Sequence, residues 1–306
     1  MNIIKYRTLF LSLSGIAVVV AIACVIVFGF RPSIDFTGGT LWQVKISEQV
    51  DVEQKNITEQ GIAYVLSTEG GIESPIVYKE ITSDSFLIKT KTLTEADHQR
   101  ALGVLQNKFS SFEELQFQSI GPTIGAQLRS RAIWAGILVL LGISLYIAFS
   151  FRKVSYPVSS WKYGFATLIA LFHDVSIPMG ILAVLGATNG IEIDTNFVVA
   201  LLVIMGFSVH DTIVVFDRIR ENLVTHRSGK DSFDAVVNNS INQTIARSIN
   251  TSLTLVLVLI AMLIFGADNL RIFTAVLLVG TIVGTYSSIF VASPLLTLWY
   301  KFAKNK

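Results

Sequence analysis

Six long apolar runs leave this chain few ways to fold: residues 8–30, 132–151, 161–185, 196–215, 248–265 and 272–300. A bilayer core about 30 Å thick is crossed by roughly 20 helical residues. Each run is close to that length, and the last is long enough to tilt or to leave the membrane before its end. Charged residues make up only 15% of the chain, against about 25% in a soluble domain. The single cysteine, Cys24, excludes an internal disulfide and a cysteine-built metal site. The expected class is a polytopic α-helical membrane protein with six transmembrane helices.

The remaining charge is concentrated in one place. Between Arg31 and Arg131 lie 10 of the 24 Lys and Arg residues and 13 of the 22 Asp and Glu residues. This stretch, between the first and second spans, is expected to fold as an aqueous domain. The net charge of +2 is too small for a nucleic-acid binder. Outside the stretch, Lys5, Arg7, Arg152, Lys153, Lys162, Arg218, Arg220, Arg227, Lys230, Arg247, Lys301, Lys304 and Lys306 fall on one side of a six-span arrangement. Arg271 falls alone on the other. Because bases near span ends favour the cytoplasm, both termini are expected there and the aqueous domain outside it. The chain then divides into 1–30 (cytoplasmic N-terminus and first span), 31–130 (exoplasmic domain) and 131–306 (spans two to six with a cytoplasmic C-terminus). Ala21-Ile22-Ala23-Cys24 resembles a cleavage site, but Val25-Ile26-Val27-Phe28 carries the run past the usual signal core of about 7–15 residues. An uncleaved span is expected.

The aqueous stretch reads as a small α/β unit. Residues 40–46 alternate like a half-buried strand, and 51–68 forms a helix with Ile57, Ile62, Val65 and Leu66 on one face. Residues 75–81 and 85–90 are strands split by the turn residues Ser83-Asp84. Thr94 caps a second helix, with Asp97 three residues on, and 115–120 is the closing strand. The order β-α-β-β-α-β is ferredoxin-like, an arrangement that hosts many activities. His98 is expected in solvent on a charged helix. Gly38-Gly39 lacks the Gly-Lys-Ser/Thr of a phosphate loop and is expected to serve a backbone turn.

Charge inside the apolar runs carries the functional signal. A carboxylate at mid-span costs about 2.5–3.5 kcal/mol on insertion scales, so it faces partners or water. Asp174 lies near the middle of the third span, with Thr167 seven residues before it on the same face. Pro178, one turn later, frees the Asp174 carbonyl from its helix bond. Asp211 lies in the fourth span, with Ser208 three residues before it on a shared polar face. In the fifth span Arg247, Asn250, Thr251 and Thr254 follow i, i+3, i+4, i+7 spacing and form one polar stripe. Arg247 enters from the side on which Asp211 lies, so the two are positioned to meet. Movement of Arg247 toward or away from Asp211 would switch the proton affinity of the carboxyl. The plainer reading stands beside this one: both aspartates fix helix packing through hydrogen bonds, and Arg247 reaches to headgroups.

Other chemistries fit less well. Asp211 follows Ser208-Val209-His210 rather than the Gly-x-Gly of intramembrane aspartyl proteases. The pairs His173-Asp174 and His210-Asp211 each offer one metal ligand at best, because adjacent helical residues point about 100° apart; no metal is expected. The bases and acids of 217–247 form a solvated face or dock a cytoplasmic partner, with His226 exposed. Gly280, Gly284 and Ser287 line one face of the last span, a surface for close helix packing.

Four stretches carry a family resemblance: Ile34-Asp35-Phe36-Thr37-Gly38-Gly39-Thr40, Ala170-Leu171-Phe172-His173-Asp174-Val175, Gly206-Phe207-Ser208-Val209-His210-Asp211-Thr212-Ile213-Val214-Val215-Phe216-Asp217-Arg218-Ile219-Arg220-Glu221-Asn222, and Ala246-Arg247-Ser248-Ile249-Asn250-Thr251-Ser252. With six spans and one large outer domain, they make the chain resemble the SecD/SecF family of bacterial protein-export membrane proteins. That family is similar to one half of a resistance-nodulation-division transporter. The resemblance implies a non-enzymatic, cofactor-free subunit in the bacterial plasma (inner) membrane that uses the proton-motive force to promote export. Its implied partners are SecD, the SecYEG channel, the SecA motor, YajC, membrane lipid and the exported polypeptide. The family's relay aspartate matches Asp211 and its functional arginine matches Arg247, with Asp174 in the same interior. Residues 156–160 make the loop before the third span longer than usual, and His210 occupies a variable position. A half-transporter of a proton-coupled small-molecule exporter is the alternative and expects a substrate cavity in the outer domain. A purely structural scaffold expects Asp211→Asn to be harmless.

Overall fold

The computed structural model describes residues 2–46, 58–80, 85–109, 111–152, 158–225 and 232–304. The chain forms two compact units, Pro32–Ala132 and the combination of Met1–Arg31 with Ile133–Lys306. Expectations for Ile57, the residue 81–84 turn, the loop at 156–157 and His226 lie outside the described residues, as do Lys153, Arg227, Lys230 and Lys306.

The smaller unit begins with a one-turn helix α2 (Ile34–Thr37), whose cap Ser33 accepts the Asp35 N–H through its hydroxyl. Its elements then run β1 (Gly39–Ile46), α3 (Glu59–Thr68), β2 (Ile76–Glu80), β3 (Ser85–Thr90), α4 (Glu95–Lys108) and β4 (Phe112–Ile120). The sheet is antiparallel throughout in the order β2-β3-β1-β4. This is the ferredoxin-like connectivity expected from the sequence. Strand β1 alternates as a strand with one covered face must, burying Trp42, Val44 and Ile46 beneath Ile62, Leu66, Ala101 and Leu105 of the two helices. Thr58 and Thr94 cap those helices by accepting the N–H of Gly61 and Asp97, each satisfying a backbone donor that the first turn leaves open.

One expectation for this unit is corrected. His98 is buried, at 5% exposure, because it lies three and seven residues before Ala101 and Leu105 and so shares their core-facing stripe. Its ring stacks on Phe117 at 3.6 Å between centroids, and its Nε2 is 3.2 Å from a Glu114 carboxylate oxygen. Gly38 and Gly39 have φ of +74° and +129°. A Cβ on Gly38 would lie 2.8 Å from the Pro122 Cα, and one on Gly39 2.9 Å from the Thr90 carbonyl oxygen. The pair therefore makes the turn and also admits a close backbone approach.

Among the described residues, six helical stretches are long and apolar enough to cross a membrane: Ile4–Phe28, Pro122–Ser150, Ser160–Asn189, Thr195–Thr225, Phe233–Phe265 and Asp268–Phe302. We label their helices α1 (Arg7–Phe28), α5 (Pro122–Ser150), α6 (Ser160–Asn189), α7 (Thr195–Thr225), α8 (Phe233–Phe265), α9 (Arg271–Ser287) and α10 (Ser293–Lys304). A π-helical turn, Ser288–Ala292, joins the last two. Helix α8 starts at Phe233 rather than at residue 248. Its added turns are amphipathic, burying Phe233, Val237, Ile241 and Thr244, and Ser232 caps them by accepting the Ala235 N–H.

Helices α6 and α7 form the middle of the larger unit. In their most apolar stretches, 50% of α6, 44% of α7 and 50% of the last span are buried, against 11% of the first span, 6% of α5 and 17% of α8. Small residues allow the tight crossings, as in membrane bundles generally. A Cβ on Gly180 of α6 would lie 2.6 Å from the Ala21 Cα of α1, and one on Gly280 of α9 2.2 Å from Ile204 of α7. Gly284 packs next to Ser208 in the same way, so the face formed by Gly280, Gly284 and Ser287 is the seam between α9 and α7.

Candidate functional site

Asp174 of α6 is fully buried, at 0% exposure. A buried carboxyl is tolerated only when its oxygens are bonded, and three neighbours supply those bonds. His173 Nδ1 lies 2.8 Å from Oδ1, Ser287 Oγ donates to Oδ2 at 2.7 Å, and Ser208 Oγ donates to the same Oδ2. Each donor sits where its helix makes it: Ser208 on the buried stripe of α7, Ser287 at the end of the α9 seam.

Asp211 is buried one turn along α7, at 4% exposure, and its Oδ2 accepts the Ser288 hydroxyl at 2.7 Å. Consecutive residues of the last span therefore hold two different carboxyls. Neighbouring side chains on a helix diverge by about 100°, so Ser287 reaches Asp174 while Ser288 reaches Asp211. Ser288 also opens the π-helical turn. At its end Ser293 Oγ donates to the Ser288 carbonyl at 3.0 Å, and Pro294, just past it, has no N–H to give to the helix ladder. π-turns of this kind are frequent at functional sites.

The cluster extends toward α1. The Ser14 hydroxyl donates to Tyr286 Oη at 3.2 Å, and the Tyr286 ring stacks on His173 at 6.1 Å between centroids. Hydrogen bonds thus join Ser14 to Tyr286, and His173, Ser208 and Ser287 to Asp174, while Ser288 alone bonds to Asp211; the two carboxyl groups are linked through the backbone of Ser287 and Ser288. The buried hydroxyl of Thr212, the residue after Asp211, has no hydrogen-bond partner among the described residues. A carboxyl bonded to a hydroxyl or an imidazole can hold a proton and exchange it with the group it is bonded to.

Of the sequence candidates, the structure brings together Asp174, Asp211 and Ser208. Arg247, Asn250 and Thr251 are exposed on α8, as is Thr254. The Thr251 hydroxyl donates to the Arg247 carbonyl at 2.9 Å, and the Arg247 side chain makes no ion pair among the described residues. In this conformation the stripe lies on the outer face of α8, and the face turned inward carries Ser248 and Ser252 instead. Thr167 donates to the Tyr163 carbonyl one turn back and takes no part in the cluster. Sequence reasoning missed Ser288 and Tyr286 and took Ser287 only as a packing residue. The run Tyr286-Ser287-Ser288, three hydroxyls in the middle of an apolar span, was the available signal.

Comparison with known proteins follows this geometry. Residues 101–302 match the family described as protein export membrane protein SecD/SecF, C-terminal, and residues 25–50 match the SecD/SecF GG motif. The protein translocase subunit SecF of Thermobaculum terrenum is 41% identical over 302 residues, covering 97% of this chain and 93% of that one. The protein translocase subunit SecDF of Thermus thermophilus is 39% identical over 290 residues, which cover 91% of this chain and 36% of that longer one. The crystal structure of SecDF from Thermus thermophilus, a translocon-associated membrane protein, superposes with a TM-score of 0.80 at 32% identity; the match covers all of this chain and 39% of that one.

Proposed function

This chain belongs to the SecD/SecF family of protein export membrane proteins, and from that premise we propose that it moves protons through Asp174 and Asp211 to drive its part of protein export. It is a multi-pass membrane protein that acts as the SecF-type subunit of the Sec protein translocase and is not an enzyme. Relatives in which SecD and SecF share one chain support its association with SecD. SecYEG, SecA, YajC and the exported polypeptide are the further partners of this reading. The end of the bundle carrying Lys5 and Lys301 faces the cytoplasm, and the smaller unit works on the far side.

The observation that carries the reading is the bonding of two buried carboxyls by consecutive hydroxyls of one helix. A proton arriving on Asp211 makes it a donor as well as an acceptor, and the Ser288 hydroxyl then turns to accept from it and gives its own hydrogen to the Thr285 carbonyl, 2.9 Å away. Ser287 is joined to Ser288 through one peptide bond, and the change reaches Asp174. A state in which Arg247 turns inward would pair with ionised Asp211 and complete the cycle. One proton crossing 100 mV releases about 2.3 kcal/mol, enough to bias a two-state equilibrium roughly fifty-fold.

The test is export of a reporter precursor in cells carrying wild type or Asp211→Asn, at matched membrane abundance and matched SecD co-purification. The expected result is reduced export that no longer responds to collapse of the proton-motive force. Unchanged export would assign Asp211 to packing.

A further inference from the structure

At the Lys5 and Lys301 end of the bundle, away from every residue of the carboxyl cluster, lies a polar cavity of about 530 Å³. It is walled by the start of α1, the start of α8 and the end of α10, and its charged lining residues are Lys5, Arg7, Lys301 and Asp234. Arg7 Nη1 and Lys301 Nζ both contact Asp234 Oδ2, at 2.8 and 3.2 Å. One carboxylate therefore serves two bases, and among the described residues of the lining three bases face one acid, a surplus of two positive charges. Asn238 and Asn239 add carboxamides, which also bond to phosphate oxygens. The cavity calls for an anion.

Its size and rim narrow the choice. Ligand sites run from about 300 to 1,000 Å³, so the cavity fits a headgroup better than a lone ion. Tyr6 and Phe302, next in sequence to Lys5 and Lys301, are 54% and 67% exposed, and Leu9 is 63% exposed. In a membrane-spanning chain such side chains border the acyl region. Charged head and apolar flank thus meet where a bilayer surface meets its interior, and basic pockets between helices at that depth bind anionic headgroups. We propose that this cavity binds the phosphodiester of an anionic phospholipid, with Lys5 and Lys301 contacting the phosphate and Arg7, held by Asp234 and Thr297, as the fixed inner charge. Such a site would tie the ends of α1, α8 and α10 together through the lipid.

The full-length protein, delipidated in detergent, is incubated with phosphatidylglycerol or with phosphatidylcholine, and bound lipid is counted by native mass spectrometry. Wild type is expected to retain phosphatidylglycerol preferentially. Lys5→Gln/Lys301→Gln, which alters two exposed side chains, is expected to weaken that retention roughly thirty-fold, while Lys162→Gln, a base outside the cavity, leaves it unchanged. Equal retention of both lipids, or equal retention by the double variant and wild type, overturns the proposal. Release of bound phosphatidylglycerol by millimolar inorganic phosphate would assign the site to free phosphate and overturn the lipid assignment.

Discussion

Ser287 and Ser288 are both 0% exposed, and each spends its hydroxyl on a different carboxyl. Replacing Ser288 with Ala strips Asp211 of that bond inside the bundle. Leaving a buried polar group short of a partner costs about 1–3 kcal/mol, so Ser288→Ala is expected to lower the thermal midpoint in detergent. It should also reduce proton-motive-force-dependent export at equal abundance, a readout that lost stability alone would not move. Close approach gives a second expectation. Gly180→Val drives a side chain into the Ala21 backbone and should destabilise by about 1–3 kcal/mol, whereas Gly142→Ala, with open space around it, should melt with wild type. The two aspartates were legible in the sequence because charge in an apolar run is costly and conspicuous. The serines were not, because a serine in a span is as often a small packing residue as a donor, and only the folded bundle says which carboxyl it reaches. His98 misled for a related reason: its sequence neighbours are charged, while the residues one and two turns on are core.

Helix α4 shows how a short polar signal fixes an element. The Thr94 hydroxyl accepts the Asp97 N–H and lies 2.7 Å from an Asp97 carboxylate oxygen. The hydrogen bond from Thr94 holds the Asp97 carboxyl below its ordinary 3.8, with Arg100 adding to the effect. A carboxyl whose folded pKa is depressed contributes stability that is fully present above the unfolded value and is lost as pH falls through the folded one. First-turn amides of α4 should therefore exchange hydrogen faster as pH drops below 3.8 than the intrinsic rate change accounts for. In Thr94→Ala that acid-dependent part should shrink to what Arg100 alone contributes, and exchange at neutral pH should rise roughly fivefold for a lost cap. The capping pattern and the strand alternation made this unit readable, since local rules govern both. The early start of α8 escaped notice because its first turns are amphipathic, and a search for continuous apolar runs passes over a helix with one wet face.

At the scale of the molecule, the outward faces of α5 and α8 differ in kind. Leu138, Leu145 and Phe149 of α5 are 64%, 70% and 61% exposed, an apolar surface suited to lipid. Helix α8 presents Leu257 and Phe265 at 59% and 86% but also the exposed polar stripe from Arg247 to Thr254, which lipid does not solvate. If that stripe faces the SecD partner, Asn250→Cys in a Cys24→Ser background should form a cross-link to cysteines on SecD. Leu145→Cys should react instead with a lipid-soluble maleimide. The long apolar helices and the charged smaller unit were legible because the bilayer sets a length scale that the sequence cannot hide. The direction in which a polar stripe points was not, because helical spacing fixes which residues share a face and not what that face meets. The π-turn at Ser288–Ala292 gives the last span a torsional role. One surplus residue in a helical ladder sets the two halves out of phase by about 100°. If protonation of Asp211 let that ladder relax to regular α geometry, α10 would swivel on its axis relative to Ser287. Thr297 and Lys301 would swing away from Arg7 and Asp234, and a chemical event at the membrane centre would arrive at its surface as a rotation.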